Sequence, residues 1–231
     1  MTPSTALFDL FGTLVPSPPM SGYRAMVDRI AAIADVQSDE FFEKWMSVND
    51  ERLLGTFGSS EGDIEHVIRK FGVELSASNM DECMHLRRAA TRDWIGPLDG
   101  ALAALEELRG LGIKLGLVTD SVFDVPGVWE HSPLSSQFSA AVFSCEQHFR
   151  KPDSVMYTTA LELLGATAAD TVFVGDGGSS ELEGAERLGI RAIKIDDQPG
   201  VQPSVLSVDV QEWSGDTVRS FRELVELIRQ G

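Results

Sequence analysis

After Pro97 the sequence alternates between two periodicities, and few architectures accept that pattern. The segments "KLGLVTD", "SAAVFS", "DTVFVGD" and "RAIKID" are short apolar runs of the kind that form buried strands. Between them lie "LDGALAALEELRGLG" before the first, "SVMYTTALELLG" and "SSELEGAERLG", each an apolar-faced helix stopped by Gly, and "DTVRSFRELVELIRQG" reads as an amphipathic closing helix. Strand–helix alternation of this sort predicts right-handed crossovers and a parallel sheet with helices on both faces. The N-terminal "TALFDL" is a further strand and is expected to join the same sheet.

Residues from about 20 to 94 carry helical periodicity and almost no strand signal. "GYRAMVDRIAAIADV" places Met26, Ile30 and Ile33 at helical spacing, and "SEGDIEHVIRKFGV" continues with Ile64, Val67, Ile68 and Phe71. Ser38 reads as the N-cap of "DEFFEKWMSVNDERLL", and "SNMDECMHLRRAATRDWI" completes a set of roughly four helices. Trp45 and Phe42 fit the core of this block, and Pro16, Pro18 and Pro19 fit a stiff linker into it. The expected organisation is therefore a core of residues 1–16 and 95–231, with a helical insertion over 17–94.

Composition excludes several classes of function. A formal net charge of −17 argues against nucleic acid and anionic membranes as partners. No apolar run approaches the length of a membrane span, and "MTPSTALFDL" lacks the basic-then-apolar pattern of a secretory signal. The two cysteines, Cys83 and Cys145, have neither metal-type spacing nor a disulfide framework, so a reducing cytoplasm is expected. Oligomeric state is left open by the sequence.

In an open parallel sheet, ligands gather at the carboxyl ends of the strands. Polar residues stand at four such places: Asp9 and Thr13, Thr119 with Asp120 and Ser121, Lys151 after "AVFSCEQHF", and Asp176. Each alone has a plain structural role as a turn, cap or solvated loop residue. Asp9 as a nucleophile needs a cation to hold its carboxylate ionised, and Lys151 supplies one.

Four motifs in order resemble the haloacid dehalogenase-like hydrolase superfamily: "FDLFGTLV", "LVTDS", "RKPD" and "VGDGGSSELEGA". The resemblance implies a Rossmann-like three-layer α/β core with a helical-bundle cap inserted after the first strand. It implies Asp9 as nucleophile, Thr13 as a residue that fixes its loop, and Thr119, Asp120, Ser121 and Lys151 as the substrate-binding set. It also implies a Mg²⁺ site built from Asp9, the Phe11 carbonyl, Asp176 and Glu181. The expected activity is hydrolysis of a small phosphate monoester through an aspartyl-phosphate.

Three positions depart from the family pattern. Phe11 stands where most phosphatases of the family carry a second Asp that protonates the leaving oxygen and then activates water. His148, Glu146 or a residue of the cap are candidates to replace it. An aromatic residue at this position, and Tyr157, also resemble the metal-independent 2-haloacid dehalogenases, the alternative activity; a weakened homologue that binds a phosphorylated ligand or a protein is the other alternative. Retention of Asp176 favours the phosphatase, because an acid that holds no metal would only repel Asp9. Glu181 and Asp120 stand where Asp and Asn are usual. Among the basic residues of the cap, Arg24, Lys44, Arg52, Arg87, Arg88 and Arg92, one or two are expected to meet an anionic substrate.

Overall fold

The computed structural model describes residues 2–196 and 213–231, so part of the expected 95–231 core range, residues 197–212, lies outside the described residues. The first strand is β1 (Thr5–Phe8), followed by α1 (Met20–Ile33), α2 (Ser38–Met46), α3 (Asn49–Leu53), α4 (Ser60–Arg69) and α5 (Ala77–Trp94). The chain then runs through α6 (Ala101–Gly110), β2 (Lys114–Thr119), α7 (Asp124–Trp129), β3 (Ala140–Phe143), α8 (Ser144–Gln147) and α9 (Ser154–Leu164). It ends with β4 (Thr171–Gly175), α10 (Glu181–Arg187), β5 (Arg191–Ile195), β6 (Asp216–Val218) and α11 (Phe221–Gln230).

All strand pairs are parallel, in the order β3-β2-β1-β4-β5-β6. β1 sits between β2 and β4 and is buried on both faces, as expected for an interior parallel strand. Its residues alternate between the two layers. Ala6 and Phe8 pack with Leu105 and Leu108 of α6 and Leu224 and Ile228 of α11. Leu7 packs on the other face with Met156 and Ala160 of α9 and Ala185 of α10. Full burial of side chains of this size contributes about 1.5–3 kcal/mol each. The result is the three-layer Rossmann-like core, with the helical block inserted after β1.

The inserted block has its own apolar centre, in which Val27 and Ile30 of α1, Phe41 and Trp45 of α2, and Ile64 and Val67 of α4 are fully buried. Phe42 packs at its edge, with the Arg24 guanidinium 4.5 Å from its ring centre. Two details differ from expectation. The block holds five helices, because the turn at Ser47 and Val48 divides "DEFFEKWMSVNDERLL" into α2 and α3. Gln37, not Ser38, caps α2, its side chain accepting from the Glu40 N–H at 2.9 Å, while Ser38 Oγ donates to Asp28. Among the described residues no helix is long and apolar enough to cross a membrane.

Buried polar contacts tie the block to the core. Arg87 on α5 donates to Asp63 Oδ2 (3.0 Å) and Ser60 O (2.9 Å) within the block, and through Nε to Asp124 Oδ2 (2.8 Å) on α7. Ser144 Oγ donates to Leu53 O at 2.7 Å, and at the surface Arg150 pairs with the exposed Asp50. Gly55 lies so close to the start of α8 that a Cβ there would stand 2.0 Å from Cys145 O.

Candidate active site

β1 delivers Asp9 to the carboxyl edge, where its N–H still bonds Val174 O of β4 at 2.9 Å. The chain then folds back, Leu10 O accepting from the Leu14 and Val15 N–H groups at 2.8 and 3.0 Å. Gly12 takes φ +83°, and a Cβ at this position would stand 2.2 Å from Asp176 Oδ2. Glycine is thus required both for the backbone and for the close approach of the second acid. Thr13 Oγ1 donates to Asp9 Oδ2 at 3.4 Å.

Lys151 binds the strand ends together. Its ammonium donates to Asp9 Oδ1 (2.5 Å) and Glu181 Oε2 (2.5 Å), and only 4% of the residue is exposed. Its backbone N–H donates to Asp120 Oδ1 at 2.9 Å. Burial works against the charged amine, but Asp9, Glu181 and Asp120 together hold its pKa well above the usual lysine range.

The acid loop after β4 is strained, with Gly177 at φ +93°, Ser179 at +55° and Ser180 at +51°. Asp176 Oδ1 accepts from the Gly178 N–H at 2.8 Å, and Glu181 Oε1 from the Gly177 N–H at 3.1 Å. Glu181 folds back over the strand end, where a Cβ on Gly175 would stand 2.0 Å from its Oε1. One oxygen from each of Asp9, Asp176 and Glu181 falls within 4.8 Å of the others. Burial, and then the Asp9 charge, push the Asp176 carboxyl upward. Burial also drives Glu181 well up, against the pull of Lys151. An all-oxygen, all-carboxylate donor set suits a hard divalent cation such as Mg²⁺.

Asp9, Phe11, Thr119, Asp120, Lys151, Asp176 and Glu181 line one pocket, closed from the inserted helices by Leu53 and from the linker by Pro18. Thr119 Oγ1 is buried there with no hydrogen-bond partner among the described residues, a donor left for a guest oxygen. Asp120 lines the pocket, but one oxygen serves Lys151 and the other lies 3.7 Å from Arg150 Nε. Thr13 and Ser121 do not line it. Ser121 commits its N–H to Ser144 Oγ at 2.8 Å.

Neither proposed substitute for the missing acid lines this pocket. His148 sits with Nδ1 2.9 Å from Leu54 O, and the Glu146 carboxyl has its pKa raised by burial and by Glu130. Tyr157 is fully buried behind the site, donating to Glu181 O at 2.7 Å. Of the cap cations, Arg24 pairs with Asp28 and Asp39, Lys44 with Glu40, and Arg88 and Arg92 line a separate open groove. Arg150 was not singled out by sequence, although it lines the pocket and precedes Lys151 directly. A loop arginine carries no periodic signal, and only its adjacency to "KPD" marks it.

A capped Rossmann-like core with a carboxylate, a lysine and an acid loop at its carboxyl edge defines a class of hydrolase. The model of the haloacid dehalogenase-like hydrolases matches residues 3–189, and the chain belongs to that family. It is 24% identical to glyceraldehyde 3-phosphate phosphatase of Methanocaldococcus jannaschii, covering 96% of both chains. It is also 24% identical to ribulose-1,5-bisphosphate 5-phosphatase of Halopiger xanaduensis, over 97% of this chain and 99% of that one. Among solved structures, 2-haloacid dehalogenase from Pseudomonas syringae superposes with a TM-score of 0.74 at 20% identity, covering 98% of both chains. The HAD phosphatase from Thermococcus onnurineus gives 0.67 at 21% identity, covering 97% of both.

Replacing Gly12 with Ala tests the geometry of this edge. The left-handed backbone alone costs about 1–2 kcal/mol with a side chain present, and the new Cβ displaces Asp176. Urea unfolding is expected to show that loss, and Mg²⁺ is expected no longer to raise the melting temperature. A Gly12→Ala protein with wild-type stability and wild-type response to Mg²⁺ contradicts the close approach.

Proposed function

We propose that this hydrolase is a Mg²⁺-dependent phosphatase that acts on a small phosphate monoester through an aspartyl-phosphate on Asp9. The observation that carries the reading is the retained acid: Asp176 stands beside Asp9 and Glu181, within 4.8 Å, while the one ammonium bonds only Asp9 and Glu181. Two such charges at that separation repel by about 3–4 kcal/mol at an effective dielectric near 20. A divalent cation held by Asp9, Asp176 and the Phe11 carbonyl, with Glu181 beside them, would relieve this repulsion and neutralise charge on the transferred phosphoryl group. The full-length relatives whose names specify sugar-phosphate phosphatases support the same reading.

Asp9 attacks phosphorus, an acyl-phosphate bond forms, and the bond to the leaving oxygen breaks. Thr13 holds Oδ2 of Asp9, and Lys151 holds Oδ1. Lys151 and the unpartnered Thr119 hydroxyl are the donors available to phosphoryl oxygens. Water then hydrolyses the acyl-phosphate and restores Asp9. Phe11 cannot protonate the leaving oxygen, so substrates with good leaving groups are favoured.

Phe11 is also the observation that favours a second reading, metal-independent dehalogenation by the same Asp9. Phosphate and halide release, each measured with Mg²⁺ and with chelator, separate the two. Phosphate release that requires Mg²⁺ and is abolished in Asp9→Asn is expected; halide release unaffected by chelator overturns the phosphatase reading. In Phe11→Asp, turnover of the phospho-enzyme is expected to rise about 10²-fold, the lower range of general acid–base assistance. Single-turnover quenched-flow reads it, and unchanged turnover in a folded variant means that another group already moves the proton.

A further inference from the structure

A second cavity of about 50 Å³ adjoins the Asp9 pocket and shares Phe11, Pro18, Leu53 and Asp120 with it. That volume is well above the roughly 10–15 Å³ that one water requires. It lies on the cap side, where Tyr23, Arg52, Arg87 and Trp94 line it. Its cations differ in how they are matched. Arg87 is bonded to both Asp63 and Asp124, which also lines the cavity. Arg52, only 1% exposed, forms no ion pair among the described residues.

The hydrogen bonds of Arg52 all leave through one nitrogen: Nη2 donates to Tyr23 Oη (3.1 Å), Trp45 O (3.3 Å) and Asn49 Oδ1 (2.9 Å). Nε is buried without a hydrogen-bond partner among the described residues. The guanidinium also lies 4.2 Å from the Trp45 ring centre. Asp63 is close enough to feel the Arg52 charge but gives its hydrogen bond to Arg87. Tyr23 Oη already accepts from Trp45 Nε1 (2.8 Å) and Arg52, so its own hydrogen is left to donate. A buried cation with an unused N–H is costly unless something answers it.

We propose that Arg52 is a specificity residue: it binds a second anionic group, a carboxylate or a phosphate, on the leaving group of the substrate. The inference rests on the phosphatase reading, with the scissile phosphate at Asp9 and the leaving group passing Phe11 toward the cap. Phe11 then serves as the apolar wall between the two ends of the substrate. Arg52 has no direct ion pair and an unused Nε–H among the described residues; an anionic group on the ligand answers it, and an analogue that lacks one leaves it unanswered and is rejected.

The test compares kcat/KM for carboxymethyl phosphate, propane-1,3-diol bisphosphate and the neutral 2-hydroxyethyl phosphate, with para-nitrophenyl phosphate as a reference. Wild type is expected to prefer one of the anionic esters over the neutral one by roughly tenfold to a hundredfold. The preferred ester identifies the anion as carboxylate or phosphate. In Arg52→Met the ratio is expected to collapse toward one, chiefly through KM, and in Arg52→Lys to recover in part. A wild type that cleaves para-nitrophenyl phosphate but shows no preference among the three overturns this proposal and leaves the phosphatase reading standing. So does an Arg52→Met variant that loses all three esters together, since that is the signature of a structural residue. Should Arg52→Met fail to fold, the wild-type preference still decides. Absence of phosphate release from every ester overturns the phosphatase reading and this proposal with it.

Discussion

The ammonium of Lys151 is the contact on which the carboxyl edge depends. It is buried, it bonds two carboxylates that come from opposite ends of the sequence, and a third acid stands beside them. Without it, Asp9, Asp176 and Glu181 would face one another in a low-dielectric pocket with only the Thr13 hydroxyl and the Gly177 and Gly178 N–H groups to offset their repulsion. With it, three carboxyl groups still share the pocket with one ammonium, and that charge deficit is what the proposed cation would offset. Asp120 belongs to the same arrangement. Its carboxylate holds the Lys151 backbone, so an acid where Asn is usual faces the lysine loop and is offset by Arg150.

The same edge explains why the acid loop is built from unusual backbone. Gly12 yields space to Asp176, and Gly175 yields space to Glu181. The left-handed Ser179 and Ser180 start α10 close enough for its first residue to fold back onto Lys151. Strain of this kind persists only where the surroundings over-determine it. Here they do, through the paired N–H groups of Gly177 and Gly178 on Glu181 and Asp176.

Much of this was legible in the sequence, and what was not has identifiable causes. The strand ends at Asp9, Thr119 and Asp176 follow from apolar runs that stop at polar residues, and the order of the four motifs joined them to Lys151. The division of α2 from α3 was hidden because the apolar spacing continues across the break. β6 was read as part of the closing helix, since a three-residue edge strand has no periodicity of its own. His148 and Glu146 looked available because they lie near Lys151 in the chain. In the fold they lie in and just after the short α8, and neither lines the pocket. Which cap cations face the core depends on pairing across helices. Only the fold distinguishes Arg87, bonded to two carboxylates, from Arg52, which has no direct ion pair among the described residues.

The account turns on Asp9 as a covalent nucleophile toward phosphorus. Acid-quenched enzyme taken in mid-turnover with Mg²⁺ and a phosphate monoester, analysed by intact mass and peptide mapping, tests this directly. The account predicts a mass gain of one phosphoryl group on the peptide that contains Asp9, absent in Asp9→Asn. Phosphate release at full rate with no such adduct, or an adduct on any other residue, would contradict it.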